Sequence, residues 1–333
     1  MGEEAKKAIK MVRFKQFSVN SVVGFDITEG RGKEENMILM TGGTGFVGSH
    51  LIRHLRRENI PVRALVRNPD RAQTLRDLGV EVVAGDISDT SSLERAVAGM
   101  ERVVHLVGII QESPGATFKN VHIDGTRNLI EAAKKSGVRH FFYQSALGTR
   151  PGARSEYHRT KWEAEEIVRA SGIPFTILRP SLIYGPGDQF TLRISDLIRR
   201  APVLPVIGSG KHKIQPIWIG DLVPCIVKAV TSECCLNEIY EVGGPEQLTY
   251  EEVTVAIAEA MGVRRPMFHL PLFLMQPLAR MLEAVSSKPP VTTDQLIMLQ
   301  ENNVCGLRDI RDAFGIEPIK FRDGLRKFIG KSS

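Results

Sequence analysis

Long apolar runs, clustered cysteines and blocks of basic charge are all missing from this chain of 333 residues. No stretch reaches the ~20 apolar residues of a membrane span, so no spanning helix is expected. Cysteine is limited to Cys225, Cys234, Cys235 and Cys305, with no CxxC spacing. That leaves no paired redox motif and no expected metal site, and it points to a reduced, cytoplasmic setting. The adjacent Cys234 and Cys235 read as a strand-edge coincidence. The net charge of +6 suits an anionic ligand, but no run of five or more Lys or Arg appears, so nucleic acid is not an expected partner.

What is present is ordinary globular material, 42% hydrophobic and 25% charged, enough for one large domain or two small ones. Residues 1–36 differ from the rest in being rich in Lys and Glu with little periodicity. They read as a flexible extension, or as sequence ahead of a true start at Met37. A transit peptide fits less well, because Glu3, Glu4 and Asp26 interrupt the acid-poor composition such peptides need.

From Met37 the pattern becomes informative. The short apolar run 37–40 enters TGGTGFVG, Thr41 to Gly48, and continues into a segment with helical periodicity. Glycines at 42, 45 and 48 remove Cβ atoms where a turn must be tight, where a phosphate must approach the backbone, or where helix and strand must touch. Gly42, Thr44, Gly45, Phe46, Val47 and Gly48 therefore form the candidate cradle for a dinucleotide, with the first-turn amides and the helix dipole facing its phosphates. The spacing is GxxGxxG, a weak signal alone, so the inference rests on residues further along the chain.

Apolar runs at 62–66, 81–84, 102–107, 140–143 and 174–178 alternate with helix-like stretches near 70–78, 90–99, 119–136 and 156–171. Strands separated by crossovers of this length imply an α/β fold built on a doubly wound parallel Rossmann sheet, with the ligand at the carboxyl ends of the strands. The expected organisation is an NAD(P)-binding domain over 37–183 and a smaller substrate lobe over 184–333. That lobe is interleaved with the last sheet strands at about 214–243.

The residue after the second strand bears on the cofactor. NAD-binding proteins place an acid there for the ribose 2′-hydroxyl, whereas this chain has Arg67, with Arg71 one turn on. A guanidinium suits a 2′-phosphate, which favours NADP(H) while leaving NAD(H) possible; a solvated surface arginine is the competing reading. Asp86 and Ile87, after the third strand, are placed for the adenine, although Asp86 could equally be a helix cap or turn residue. Val107 and Gly108, after the fourth strand, complete the candidate contacts on this side. Tyr157 and Lys161 lie at i and i+4 on a predicted helix, so they share a face. A tyrosine acting as acid or base near neutrality needs its pKa of about 10 lowered by about 3 units, which a neighbouring ammonium could supply in part.

Together TGGTGFVG, Gly85-Asp86-Ile87, the segment GTRNLIEAA at 125–133 and YHRTK at 157–161 resemble the extended or atypical short-chain dehydrogenase/reductases of the NAD(P)-dependent epimerase/dehydratase type. The resemblance spans about 37–330. VHIDGTRN (121–128), YQSALGT (143–149) and the tail at 290–304 look like the subgroup containing the accessory dehydrogenase-like subunit of respiratory complex I. It implies that Tyr157 is the acid/base, that Lys161 holds the nicotinamide ribose, and that Pro180 and Ser181 pass the nicotinamide. The hydroxyl that positions the substrate oxygen should follow the fifth strand, where the second family position falls on Ala146, leaving Ser145 to substitute. His122 stands where many members carry Asn.

Two functions are compatible with this pattern. One is an oxidoreductase or epimerase acting on a nucleotide sugar or an isoprenoid- or quinone-like carbonyl compound. The other is an NADP(H)-binding subunit or assembly factor without turnover. Asp221 is expected to be a helix N-cap. The apolar stretch 268–285 reads as a core helix of the lobe, a pocket wall, or a contact with a protein complex or membrane surface. That last reading allows a peripheral place at the inner membrane, and homo-oligomerisation stays open.

Overall fold

The computed structural model describes residues 37–287 and 289–329, so the expectations for 1–36 lie outside the described residues. Six strands arrive in regular alternation with helices: β1 (Ile38–Thr41), β2 (Val62–Val66), β3 (Glu81–Ala84), β4 (Arg102–His105), β5 (His140–Gln144) and β6 (Phe175–Pro180). Four short strands follow, β7 (Ile183–Tyr184), β8 (Leu204–Ile207), β9 (Lys213–Ile214) and β10 (Ile217–Trp218). The chain then returns as β11 (Glu238–Val242) and ends its strands with β12 (Leu248–Thr249) and β13 (Met267–Leu270).

The main sheet runs β3-β2-β1-β4-β5-β6-β11, every pairing parallel. The order reverses between β1 and β4, the switch point at which such sheets open a crevice for ligand. All four residues of β1 are buried, as a central strand covered on both faces requires. Its side chains alternate: Ile38 and Met40 join one core cluster and Leu39 the other.

The first cluster is closed by α1 (Phe46–Arg57), α2 (Gln73–Asp77) and, from much later in the chain, the helix Ile219–Thr231. The second is closed by α3 (Thr90–Val97), α4 (Gly125–Lys135) and α5 (Glu156–Arg169). A π-helical segment, Lys119–Asp124, runs into α4, so the stretch read as one helix over 119–136 carries a change of winding. Beyond β6 lie α6 (Gln189–Arg200), α7 (the helix Ile219–Thr231), α8 (Tyr250–Ala260), α9 (Leu272–Val285), α10 (Thr293–Met298) and α11 (Phe321–Leu325). A separate core unites Tyr184, Ile194, Ile198, Val253, Ile257 and Phe321 there.

Asp221 is not an N-cap. Trp218 precedes α7, and Asp221 sits in the first turn with its carboxylate accepting the Ile319 amide at 2.9 Å. Nor is 268–285 one core helix. Residues 267–270 form β13, and along α9 only Met275 and Ala279 are buried.

Candidate active site

Three glycines shape the turn between β1 and α1. Gly42 adopts φ +79°, the left-handed region, and a Cβ there would lie 3.1 Å from the backbone of Leu106 and Val107. A Cβ on Gly48 would fall 2.3 Å from the Gly42 carbonyl oxygen, so only glycine lets the helix approach its own turn. Gly45 is the N-cap, in extended backbone, and supplies no capping side chain; no acidic residue occupies the first turn. By contrast Asp89 caps α3, Ser155 caps α5 and Asp188 caps α6. The start of α1 thus keeps its orphan amides and positive dipole end for something other than this chain, beside exposed Thr44 and Gly45 and the largely buried Phe46 and Val47.

At the carboxyl end of β2, Arg67 is 83% exposed with its guanidinium 4.0 Å from the Asp86 carboxylate. Asn68 caps a single 3-10 turn, Pro69–Arg71, which carries the exposed Arg71. One Asp86 oxygen accepts the Ser88 amide at 2.9 Å and the Ser88 hydroxyl at 2.7 Å. Asp86 is therefore a turn-forming residue, its second oxygen facing Arg67, while Asp89 does the helix capping. Ile87 is buried against Gly125, where a Cβ would lie 2.5 Å from its Cδ1.

The third part of the site lies at the carboxyl ends of β4 and β5. Lys161 is buried; its ammonium donates to the Gln144 carbonyl at 3.0 Å and lies 4.8 Å from the centre of the Tyr143 ring. A Cβ on Gly108 would come 3.1 Å from Lys161 Nζ, so glycine is what leaves room for the amine. Burial pulls the Lys161 pKa down to about 8, partly opposed by Glu165 one turn along. Tyr157 shares the α5 face, half-buried among the rings of Phe118, His122 and His158 at centroid distances of 6.0, 5.6 and 5.2 Å. Burial pushes its phenol up to about 12, and Lys161 does not offset this.

His122 occupies the position where the resemblance implies Asn, and it makes a defined bridge. The Ile109 amide donates to its Nε2 at 3.1 Å, leaving the proton on Nδ1, which lies 2.9 Å from Thr160 Oγ1. Burial holds its pKa near 2, so it is a neutral strut between the loop after β4 and α5.

Ser145 is buried, and its hydroxyl donates to Thr149 Oγ1 at 3.3 Å. Pro180 closes β6, its carbonyl accepting the Leu147 amide at 2.9 Å. Ser181 donates at 2.6 Å to the Asn303 side chain, which in turn donates to the Leu147 carbonyl at 2.7 Å. The structure thus gathers Gly108, Tyr157, Lys161 and Gln144 in one corner, while Ser145 and Ser181 hydrogen-bond within the protein.

Two residues at this corner fall in the tail at 290–304, but the contacts they make are not legible in the sequence. Asp294, on α10, accepts the Glu156 amide at 2.6 Å and the Tyr157 amide at 3.2 Å, capping α5 from 138 positions away in the first case. Asn303 joins Ser181 and Leu147 and donates its backbone amide to the Lys213 carbonyl at 2.8 Å. The Thr292-to-Gln295 capping box does mark the start of α10, but nothing local says where Asp294 points.

The residues fit a dinucleotide. An uncapped helix start and two glycines whose Cβ atoms would meet backbone lie at the switch point, and Gln144 Oε1 at the end of β5 is buried without a hydrogen-bond partner among the described residues. A family model described as NAD(P)H-binding matches residues 42–194. Over 245 residues the chain is 36% identical to the ceramide reductase of Caulobacter vibrioides, covering 73% of this chain and 75% of that one. The chain belongs to the extended, atypical short-chain dehydrogenase/reductases. It is also 30% identical to the NAD(P)H azoreductase of Xenophilus azovorans, over 72% of this chain and 78% of that protein. Identity to the mitochondrial 40 kDa subunit of NADH-ubiquinone oxidoreductase of Neurospora crassa is 25%, covering 77% and 68% respectively. Among solved folds, the NADPH-dependent quinone oxidoreductase of Escherichia coli, in complex with NADPH, superimposes with TM-score 0.71 at 21% identity, covering 87% of this chain and 99% of that one. This short-chain dehydrogenase/reductase is accordingly an NAD(P)-binding protein of the oxidoreductase/epimerase type.

Proposed function

We propose that the protein is an NADP(H)-dependent reductase of an apolar carbonyl compound. The observation carrying this reading is the corner itself: a phenol with no hydrogen-bond partner among the described residues and a buried ammonium, on one helix face beside Gly108, at the carboxyl edge of the sheet. The dinucleotide, when bound, supplies the hydride. In this reading Tyr157 hands a proton to the carbonyl oxygen, and Lys161, one turn along the same helix, supplies positive charge to the corner. A phenol with pKa near 12 is a poor acid until charge gathers next to it, so cofactor and substrate must complete the site before protonation. Phe118 and the neutral His122 and His158 set aromatic rings around the Tyr157 ring, which favours an isoprenoid-, quinone- or lipid-like carbonyl over a nucleotide sugar. The relative named a ceramide reductase supports the same choice. Exposed Arg67 beside the cradle supports preference for the 2′-phosphorylated cofactor.

The test is consumption of NADPH against a panel of long-chain ketones, quinones and UDP-sugars. Turnover with an apolar carbonyl that Tyr157→Phe abolishes supports the reading; turnover confined to sugar nucleotides removes it. A second reading, a nucleotide-binding subunit without turnover, draws on Ala146 and on Ser145 being engaged by Thr149. Tight NADPH binding with no substrate in the panel consumed favours that one.

A further inference from the structure

A buried ammonium keeps its proton only where its surroundings offer negative charge or potential, and little of either is reserved for Lys161. On its own helix the facing anion is Glu165, but Arg179 of β6 already holds that carboxylate through bonds of 2.6 and 2.9 Å and reaches Glu241 of β11 at 3.3 Å. From β4 and from the π-helical segment the facing groups are His105 and His122, both kept neutral by burial, with pKa values of about 3 and about 2. Tyr157, one turn back on α5, stays a neutral phenol. Among the described residues no carboxylate is left to Lys161 alone.

Strand β5 supplies what these groups do not. Gln144 offers its carbonyl at 3.0 Å, and the Tyr143 ring lies under the ammonium with its centre 4.8 Å from Nζ. That is inside the range of about 6 Å over which the negative face of an aromatic ring attracts a cation. Ring and amine are both buried, so little water screens the attraction. His105 lies 5.6 Å from the same ring, tilted by 33°, and is itself pinned through both nitrogens, Nδ1 to Thr41 Oγ1 at 2.6 Å and Nε2 to Thr126 Oγ1 at 3.2 Å. The ring is thus held in place independently of the lysine. Its hydroxyl, by contrast, is buried with no hydrogen-bond partner among the described residues, which leaves the face of the ring as the part in use.

We propose that Tyr143 is a positioning residue for Lys161: its ring face, together with the Gln144 carbonyl, keeps the amine charged and aimed beside Gly108. The kinetic consequence rests on the carbonyl reduction proposed above, whereas the electrostatic one does not. The test follows lysines isotope-labelled at Cε by NMR in the full chain without cofactor, with Lys161→Met identifying the Lys161 signal. In the wild type that signal is expected to be displaced upfield by the ring and to titrate near pH 8. Tyr143→Phe should keep both the displacement and the midpoint. Tyr143→Leu should abolish the displacement and lower the midpoint by about one pH unit, a roughly tenfold loss of proton affinity. The alkaline limb of NADPH consumption should move down in the leucine variant and stay at its wild-type place in the phenylalanine one. Thermal melts report whether each variant folds, and the wild-type displacement is read whether or not Tyr143→Leu does. A wild-type signal without ring displacement, an unchanged midpoint in Tyr143→Leu, or a phenylalanine variant that shifts as far as leucine each overturns the inference. Failure to consume NADPH with any carbonyl counts against the proposed reduction and leaves the NMR titration to decide the role of Tyr143.

Discussion

Lys161→Met is expected to make the cofactor-free protein more stable at neutral pH while removing carbonyl reduction. The ammonium is buried and its pKa falls from 10.5 to about 8, burial being the main cause. A difference of ~2.5 units corresponds to about 3 kcal/mol between the charged and neutral forms. The unfolded chain holds the proton up to about pH 10.5 and the folded chain only to about 8. Between those values unfolding takes up a proton, so stability rises with pH; below them both states are charged and the full cost is present. Methionine keeps the length and fills the space. It leaves the Gln144 carbonyl without its donor, which offsets roughly 1–2 kcal/mol of the gain. The net expectation is about 1–2 kcal/mol, a rise in Tm of roughly 1–3 °C for a chain of this size, shrinking to nothing near pH 10. Thermal unfolding of wild type and variant by circular dichroism, without cofactor, at neutral pH and near pH 10, measures it. A variant that melts lower at neutral pH, or a difference that does not change with pH, would refute the claim that the amine is held charged at a cost.

Arg67→Ala is expected to weaken NADPH binding about ten- to hundred-fold and leave NADH unchanged, since a charge-assisted bond to the 2′-phosphate is worth about 1.5–3 kcal/mol; fluorescence titration with both cofactors checks it. Asp294→Ala should cost about 2–3 kcal/mol by orphaning two amides at the start of α5, with Asp294→Asn recovering part, as read by urea unfolding. Glu165→Gln should cost about 1–3 kcal/mol, because it removes the buried carboxylate that holds Arg179 through two bonds of 2.6 and 2.9 Å and leaves the guanidinium with Glu241, at 3.3 Å, as its charged partner. The same urea series measures that loss, and a cost below about 1 kcal/mol would contradict it.

The cofactor cradle is legible in the sequence because its physics is local. Gly45 and Gly48 answer steric demands made by the turn itself and Gly42 takes a left-handed φ, while the strand at 62–66 carries its burial in its composition; the edge strand at 81–84 keeps no residue fully buried. The Tyr157 and Lys161 pair can be found from helical spacing alone, but the electrostatics around it cannot. Burial at this corner is set by Phe118, His122 and His158 together with the loop after β4, and it raises the phenol where spacing suggests a lowering by the ammonium. Asp294 and Asn303 escape because a side chain's long-range partner leaves no periodic trace. Asp221 has the local setting of a cap because it comes just after a strand, yet the chain turns into helix at Trp218, and the carboxylate is free to hold Ile319. Helix α9 is apolar by composition, but only burial distinguishes a core face from one left in solvent.

The bonds made by Asp294 and Asn303 also order events during synthesis. The turn at 41–48 emerges from the ribosome first and takes no hydrogen bond from the end of the chain among the described residues, although the core beneath α1 is closed only by α7 and by Ile310 and Phe314. The reacting corner does: α5 receives its cap, and the exit of β6 its anchor, from residues that are translated more than a hundred positions later. The phenol and amine are therefore set only after residues 294 and 303 have been translated, and the reactive geometry is among the last parts of the molecule to be built.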